Sequence, residues 1–251
     1  KDPVKFRQIV SAADAEGLDR LVIQHLGEMT VEAALTAMRN PYASRQVVEK
    51  LCSNPSLLRS PVFRREVVAH RAAAEVRALR LLPGLGWRDL VDIIGNVRIR
   101  PTVRRAATLQ ISGRLPGLAV GERVVIARRA SPDLIRRVRG DVNHRVIAAL
   151  LENPKLTEFL LMPLMNDPAT PPEVLRQIAD HSLWNSRRSV QRALCRNPRT
   201  PAASASAFLA TIGKRDLGAV VGDDRIADAV RAKARALLGD GGQRRPDSSS
   251  S

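Results

Sequence analysis

Apolar residues occur along the chain in short runs with helical spacing, and Asn-Pro or Asp-Pro pairs close many of these runs. The stretch 153–168 shows the pattern clearly. It begins with Asn-Pro, ends with Asp-Pro, and holds apolar side chains at Leu160, Leu161, Leu164 and Met165. These positions form one buried stripe of a helix. Because proline disfavours helical geometry in the preceding residue and suits a first helical turn, each pair marks a corner.

The same pattern predicts four helices at the start of the chain. They are expected over 3–16, 18–26, 31–39 and 45–53. Gly17 is expected to end the first helix, and the Asn-Pro pairs at 40–41 and 54–55 to stop the third and fourth. The whole sequence therefore predicts an all-α fold of short helices joined by tight corners.

The chain also contains an internal duplication. A shift of 113 residues places Asn40-Pro41 on Asn153-Pro154. A shift of 127 places Arg88-Asp89-Leu90 on Arg215-Asp216-Leu217, with nine identities between 88–107 and 215–234. Since the two shifts differ by 14 residues, we infer an insertion of that length in the second copy, at 171–184.

These shifts define the predicted organisation of the chain. Two repeat blocks are expected at about 31–110 and 144–238, joined by linking helices over 111–143. Together they predict one α-solenoid domain over 1–238, in which stacked neighbours cover each other's apolar faces. The segment 239–251 is rich in Gly, Ser and Arg and is predicted to be disordered.

The repeated elements resemble a known class of helical repeats. They include Asn153-Pro154, the segment 197–201 (Asn-Pro-Arg-Thr-Pro), the segment 175–180 and the recurring Val-Arg-x-x-Ala helices. They resemble HEAT-like repeats and, more closely, the variant leucine-rich repeats (LRV) of bacterial α-solenoids. The resemblance implies a superhelix whose concave face binds extended partners. The N-terminal cysteine cluster that holds an iron–sulfur centre in some LRV proteins has no counterpart here.

Composition adds a strong positive charge to this picture. The formal net charge is +16, and 35 of the 41 basic residues are arginines. Between 98 and 145, twelve arginines stand against three acidic residues. Two readings remain open: a polyanionic partner such as nucleic acid, or a GC-rich genome that encodes arginine in place of lysine.

The candidate partner-binding residues are arginines in clusters and the two tryptophans, which lie outside the repeated pattern. For each tryptophan, the alternatives are a filler of an irregular gap and a surface anchor or base-stacking residue. The candidates are Arg104, Arg105, Arg128, Arg129, Arg136, Arg137, Arg139, Arg187, Arg188, Trp87 and Trp184.

The sequence offers no catalytic constellation. Cys52 and Cys195 are expected in the core, and neither they nor the four histidines show metal-ligand spacing. His70 occupies the position of Asn197 in the other copy and is expected at a corner. Asp89 and Asp216 are expected to cap a helix or to bond the neighbouring repeat. We therefore expect no catalytic residue, no metal and no cofactor.

The predicted function is a non-enzymatic scaffold that binds a protein or peptide on its concave face. The alternative is a DNA-binding HEAT-like protein that uses an arginine-rich face. A third possibility is an enzyme resembling the HEAT-like, alkylpurine-specific DNA glycosylases of bacteria, although no active-site residue matches theirs. No apolar run is long enough to span a bilayer, and a cytoplasmic location is expected.

Overall fold

The computed structural model describes residues 3–240, which are all-α: the described residues form α-helices and short 3-10 turns without a β-strand. The chain divides between Gly117 and Leu118 into two compact units. None of the helices in this range has the length and apolarity needed to cross a membrane. The single solenoid expected over 1–238 stays a prediction.

From residue 3 onward, the first unit contains nine helices. They are α1 (Pro3–Ala12), α2 (Ala15–His25), α3 (Val31–Arg39), α4 (Arg45–Cys52), α5 (Pro55–Arg59), α6 (Pro61–Ala69), α7 (Glu75–Leu81), α8 (Trp87–Gly95) and α9 (Pro101–Arg114). The break between α1 and α2 differs from the expected one at Gly17. Asp14 caps α2 and accepts the Gly17 N–H at 2.8 Å, so the glycine lies in the first turn of the second helix.

The second unit contains ten helices within the described residues. They are α10 (Val120–Arg129), α11 (Pro132–Val138), α12 (His144–Leu151), α13 (Glu158–Asn166), α14 (Pro172–Asp180), α15 (Ser182–Asn185), α16 (Arg188–Arg196), α17 (Ala202–Phe208), α18 (Lys214–Val221) and α19 (Asp228–Asp240). Because α19 extends to Asp240, the first two residues of the predicted disordered tail are helical. The rest of that tail, 241–251, lies outside the described residues.

The helix bounds recur between the two units at one constant offset. α3 begins at residue 31 and α13 at residue 158, which is 127 residues later. The starts of α14 to α19 follow those of α4 to α9 by the same interval. Equivalent threonines cap the first pair: Thr30 accepts the Ala33 N–H at 3.2 Å, and Thr157 accepts the Leu160 N–H at 3.4 Å.

The expected fourteen-residue insertion is therefore wrong. The segment 171–184 is not additional, because α14 and α15 are the counterparts of α4 and α5. Corners within one copy resemble each other, so Asn40-Pro41 also matches Asn153-Pro154, which belongs to a different repeat. The recurrence also extends beyond the expected blocks, since α11 and α12 follow α1 and α2 by 129 residues, close to the offset of the other helices.

Within each unit, many helices pack on helices that lie two or three places away in the chain. In the first, α3 contacts both α1 and α6, while α4 contacts α2. In the second, α13 contacts α11 and α16, while α12 contacts α10 and α14. Small residues allow close approach: Ala33, Ala34 and Ala37 of α3 are all buried. Phe63 of α6 is fully buried in the same core.

The corners join successive repeats through buried polar side chains. Asn40 donates from Nδ2 to the Val10 and Ala13 carbonyls, both at 2.9 Å. Asn153 donates in the same way to the Ala127 and Ala130 carbonyls, at 2.7 and 3.1 Å. Each of these bonds satisfies a backbone carbonyl near the end of a preceding helix. The asparagines of these pairs thus bond the corner to a preceding helix at the point where the chain changes direction.

His70 makes the same kind of corner contact as Asn197, with which it aligns in the sequence. The His70 Nε2 lies 2.8 Å from the Met38 carbonyl, and the Asn197 Nδ2 lies 2.7 Å from the Met165 carbonyl. The Ala72 N–H donates to His70 Nδ1 at 3.1 Å. The ring therefore matches both contacts of the asparagine, since Nδ1 accepts a backbone N–H and Nε2 lies against a backbone carbonyl.

Candidate partner-binding groove

A groove of about 440 Å³ opens between α13 and α16 in the second unit. Hereafter "the groove" means this site. Side chains from both helices and from the corners that follow them form its walls. The lining residues are Met162, Met165, Asn166, Pro168, Ser189, Arg192, Ala193, Arg196, Asn197, Pro198 and Arg225. The Asn197–Met165 hydrogen bond ties the carboxyl ends of α13 and α16 together at its floor.

One wall of the groove is apolar and comes from α13. Met165 is fully buried, and Met162 is half-buried at the surface. Phe159 lies three residues before Met162 and seven before Asn166, so helical periodicity places it on the same face. Its side chain is 76% exposed, in a chain whose aromatic content is only 3%. A large exposed aromatic side chain beside a methionine is typical of contact surfaces.

The other wall is basic and comes from α16 and a later corner. Arg192 pairs with Asp216 at 3.0 Å. Arg225 binds Asp223 through two hydrogen bonds, at 2.9 and 2.8 Å, and this pairing lowers the pKa of the Asp223 carboxyl to about 2. Arg196 is exposed and makes no ion pair within residues 3–240. Its charge contributes to the lowered pKa of the Asp223 carboxyl, but Arg225 provides the direct contact to that carboxylate.

The first unit carries different residues at the equivalent positions. The counterpart of Phe159, 127 residues earlier in the chain, is Glu32, which pairs with Arg7 at 2.6 Å. Counterparts of Ala193 and Arg196 are Glu66 and Ala69. The second copy therefore lacks two carboxylates of the first and has gained an exposed phenylalanine and an arginine. Two exchanges act in the opposite direction, because Arg39 and Arg71 of the first copy are replaced by Asn166 and Pro198 in the groove lining. The exchanges therefore move positive charge to Arg196 and add an exposed aromatic side chain, and they leave the net charge of the lining residues unchanged.

None of the eleven candidates from the sequence lines the groove. Trp184 is 2% exposed, and its Nε1 donates to the Leu151 carbonyl at 3.1 Å. Its ring fills the core at the position of Leu57, so the surface-anchor alternative is wrong for this residue. Trp87 is half-buried at the start of α8, with the Arg88 guanidinium 5.1 Å from its ring centre.

The candidate arginines are distributed over four helices and two corners. Two are half-buried and hold backbone carbonyls: Arg104 donates to Ile99 at 3.1 Å, and Arg139 to Leu160 at 3.2 Å. Arg187 pairs with Glu158 at 3.6 Å and covers the Trp184 ring at 5.2 Å. The remaining side chains are exposed: Arg105, Arg128, Arg129, Arg136, Arg137 and Arg188.

The cysteines are core residues, as expected. Cys52 and Cys195 are both buried. Burial raises the pKa of the Cys52 thiol to about 11 and that of Cys195 to about 12. In the part of the chain that the structure describes, no group of three His, Cys, Asp or Glu side chains could hold a metal ion.

The duplicated aspartates bond the neighbouring repeat, which was one of the two expectations. Asp89 at the start of α8 lies 3.5 Å from Arg65 of α6, and Asp216 at the start of α18 pairs with Arg192 of α16. These two ion pairs occupy equivalent positions in the two copies. The aspartates are therefore part of the scaffold.

The residues that sequence reasoning missed are Phe159, Met162, Arg196 and Arg225. A comparison of the copies at the single offset of 127 would have found the first and third, because they replace Glu32 and Ala69. The spurious insertion concealed that comparison. No sequence signal marks Arg225, because its counterpart Arg98 is also arginine.

Comparisons with known proteins add no family to this description. No protein-family model matches the chain, and no curated protein or solved structure shows significant similarity to it. The fold and the groove define an all-α protein that is built from a duplicated set of helices and has a partly basic groove in the second copy.

Proposed function

We propose that this chain is a non-enzymatic helical repeat scaffold that binds a protein or peptide in the groove between α13 and α16. The observation that carries the proposal is the difference between the copies. Corner hydrogen bonds and the Arg–Asp pairs are common to both, whereas Phe159 and Arg196 replace residues of different chemistry. Departures from a repeated pattern that create an exposed amphipathic surface favour a binding role.

We also propose that the helices form an α-solenoid of the HEAT-like or variant leucine-rich repeat kind. Packing between neighbouring helices supports this arrangement, because each repeat then covers the apolar face of the next. The buried corner bonds from Asn40, Asn153 and Asn197 support it as well, since each reaches back to a preceding helix.

A photo-crosslinking experiment tests the binding role. p-Benzoylphenylalanine is placed at Phe159 in one variant and at Glu32 in a second. The two sites have equivalent positions in the copies, so Glu32 is a matched control. In lysate of the source organism, we expect polypeptide crosslinks from position 159 that are absent from position 32 and are lost on Arg196→Ala. Equal crosslinking from both sites, or none from position 159, would contradict the proposal.

Nucleic acid is the second candidate partner. The net charge of +16 and the exposed side chains of Arg128, Arg137 and Arg188 favour it. Binding of a 20-base-pair duplex should then weaken steeply as salt rises from about 50 to 200 mM, because counterions are released. The double variant Arg128→Ala/Arg129→Ala should reduce that salt dependence. Weak binding at low salt would exclude this alternative.

A further inference from the structure

The charge balance of the groove points to a single anionic anchor. Its three arginines face two aspartates, Asp216 and Asp223, which hold Arg192 and Arg225 in place. Arg196 lies on the same wall, and within the described residues no carboxylate forms a direct ion pair with it, although its charge helps to lower the pKa of Asp223. The net charge of this group is therefore +1. A guanidinium forms its strongest hydrogen bonds with a carboxylate, and its planar fork favours a two-point contact.

The apolar wall points to a hydrophobic side chain beside that anchor. Phe159 and Met162 lie on the exposed face of α13, and Met165 forms part of the groove. Methionine adapts to apolar side chains of varied shape, and an exposed phenylalanine supplies a large contact area. A ligand that carried only negative charge would leave this wall without a partner.

The helix geometry fixes the spacing between the two features. The α13 positions 159 and 166 are seven residues apart, so they lie about 10 Å apart along the helix at 1.5 Å per residue. Arg196 is at the carboxyl end of α16, which Asn197 ties to the carboxyl end of α13. An extended peptide rises about 3.3 Å per residue. Along the axis of α13, it would therefore cover the offset from position 166 to Phe159 in about three residues.

The two aspartates disfavour a nucleic-acid strand in this groove. Successive phosphates of a strand that followed the wall would approach Asp216 and Asp223 as well as the arginines. Like charges at such positions reduce affinity and suppress the wrong partner. A peptide with one carboxylate and neutral neighbours avoids this repulsion.

We infer that the groove binds an extended peptide segment in which one acidic residue precedes or follows an apolar residue by about three positions. This inference rests on the proposed function and specifies the chemistry of its partner. The carboxylate is bound by Arg196, and the apolar side chain lies on Phe159 and Met162.

Fluorescence anisotropy with defined peptides tests the inference. The probe is a fluorescein-labelled nine-residue peptide of Gly and Ser with one Glu and, three positions later, Leu-Leu. Two comparison peptides carry Gln in place of Glu, or Ser-Ser in place of Leu-Leu. We expect the Glu peptide to bind at least about tenfold more tightly than either. Loss of one charge-assisted contact accounts for about that factor with the Gln peptide, and loss of apolar burial accounts for at least that factor with the Ser-Ser peptide.

Three variants assign the contacts. Arg196→Ala, which introduces the residue of the first copy, should reduce affinity for the Glu peptide about tenfold and leave the Gln peptide unchanged. Phe159→Glu also introduces the residue of the first copy, and it should weaken binding of both the Glu peptide and the Gln peptide. Arg59→Ala removes the same charge from an exposed position in the first unit and should have no effect. Circular dichroism and thermal melting verify that each variant is folded.

The outcomes separate this inference from the proposed function. Equal binding of the Glu and Gln peptides, both sensitive to Phe159→Glu, would overturn the acidic anchor and leave peptide binding intact. Failure of all three peptides, combined with absent crosslinks from position 159, would overturn both. Displacement of the Glu peptide by duplex DNA in an Arg196-dependent manner would assign the groove to nucleic acid instead.

Discussion

The corner at Asn197 allows a direct measurement of what one buried amide contributes to the scaffold. Asn197 is 5% exposed. Its Nδ2 donates to the carbonyls of Met165 at 2.7 Å and Asp167 at 3.0 Å, and its Oδ1 accepts the Arg199 N–H at 2.9 Å. Asn197→Ala removes all three bonds and leaves buried backbone groups without partners.

The expected loss follows from the number of bonds. A hydrogen bond contributes a net ~0.5–1.5 kcal/mol, so three bonds amount to about 3 kcal/mol of unfolding free energy. For a chain of 251 residues this corresponds to a fall in melting temperature of roughly 10 °C. The measurement is urea denaturation followed by circular dichroism at 222 nm, fitted with two transitions where the units unfold separately.

His70 provides the matched control. It bonds the Met38 carbonyl and accepts the Ala72 N–H, so His70→Asn supplies the same donor and acceptor. We expect His70→Asn to change stability by less than about 1 kcal/mol and His70→Ala to lose about 2 kcal/mol. Equal losses from the two His70 variants would refute the equivalence of these corners. A loss below about 0.5 kcal/mol for Asn197→Ala would refute the magnitude assigned to the corner bonds.

Three further predictions concern buried and paired groups. Trp184→Ala should lower the unfolding free energy by about 3–5 kcal/mol, and Trp184→Leu, which introduces the residue type of the first copy, by clearly less; equal losses in urea denaturation would contradict this. Cys52 and Cys195 should react slowly with Ellman's reagent at pH 8 in the folded protein and rapidly in guanidinium, because burial raises the pKa of the two thiols to about 11 and about 12. Arg225 lowers the pKa of Asp223 in the folded protein from 3.8 to about 2. The pair therefore stabilises the folded protein at pH values above the pKa that Asp223 has in the unfolded chain, and this contribution is lost as the pH falls toward 2. The stabilities of wild type and Arg225→Ala should therefore converge in acid, and an Asp223 carboxyl that titrates near its usual pKa by NMR would contradict the assignment.

The helical fold could be predicted from the sequence because local signals determine it. The helix over 31–39 was expected with the bounds that the structure shows, since apolar spacing and Asn40-Pro41 both mark it. The all-α class was confirmed for the same reason. The first helix is shorter than the predicted range 3–16. Asp14 caps the second helix, so the first one ends before Gly17. Capping depends on one side-chain contact, which a periodicity argument does not contain.

The register of the duplication needed three-dimensional information. Repeats within one copy resemble each other, so Asn40-Pro41 matches more than one later corner. The helix starts remove the ambiguity, because α13 to α19 all follow their counterparts by 127 residues. Once that offset is known, the sequence alone shows the exchanges Glu32 to Phe159 and Ala69 to Arg196.

The binding candidates could not be selected from charge alone. Arg104 and Arg139 look like surface cations in the sequence, yet both donate to backbone carbonyls and belong to the scaffold. Trp184 looked exceptional because the wrong offset assigned it to an insertion. In the structure it is the core counterpart of Leu57. Long side chains can reach either solvent or a neighbouring helix, and composition does not distinguish the two.

Asp216 belongs to both the scaffold and the proposed site, so one substitution there should affect stability and binding in opposite directions. Its pair with Arg192 at 3.0 Å joins α16 to α18, and the arginine side chain is half-exposed. Solvent screening limits such pairs to roughly 0.5 kcal/mol, so Asp216→Asn should lower stability only by about that amount. In the first copy, Asp89→Asn should have an effect of similar size.

Binding should respond with the opposite sign. Asp216→Asn removes one of the two carboxylates that offset the groove's three arginines, so the net charge of this group rises from +1 to +2. The Glu peptide should then bind a few-fold more tightly, and more so at low salt, while the Gln peptide should not change. Weaker binding of the Glu peptide would show that Asp216 acts mainly by orienting Arg192. In that case a correctly placed guanidinium, rather than excess positive charge, would determine the affinity for the acidic residue.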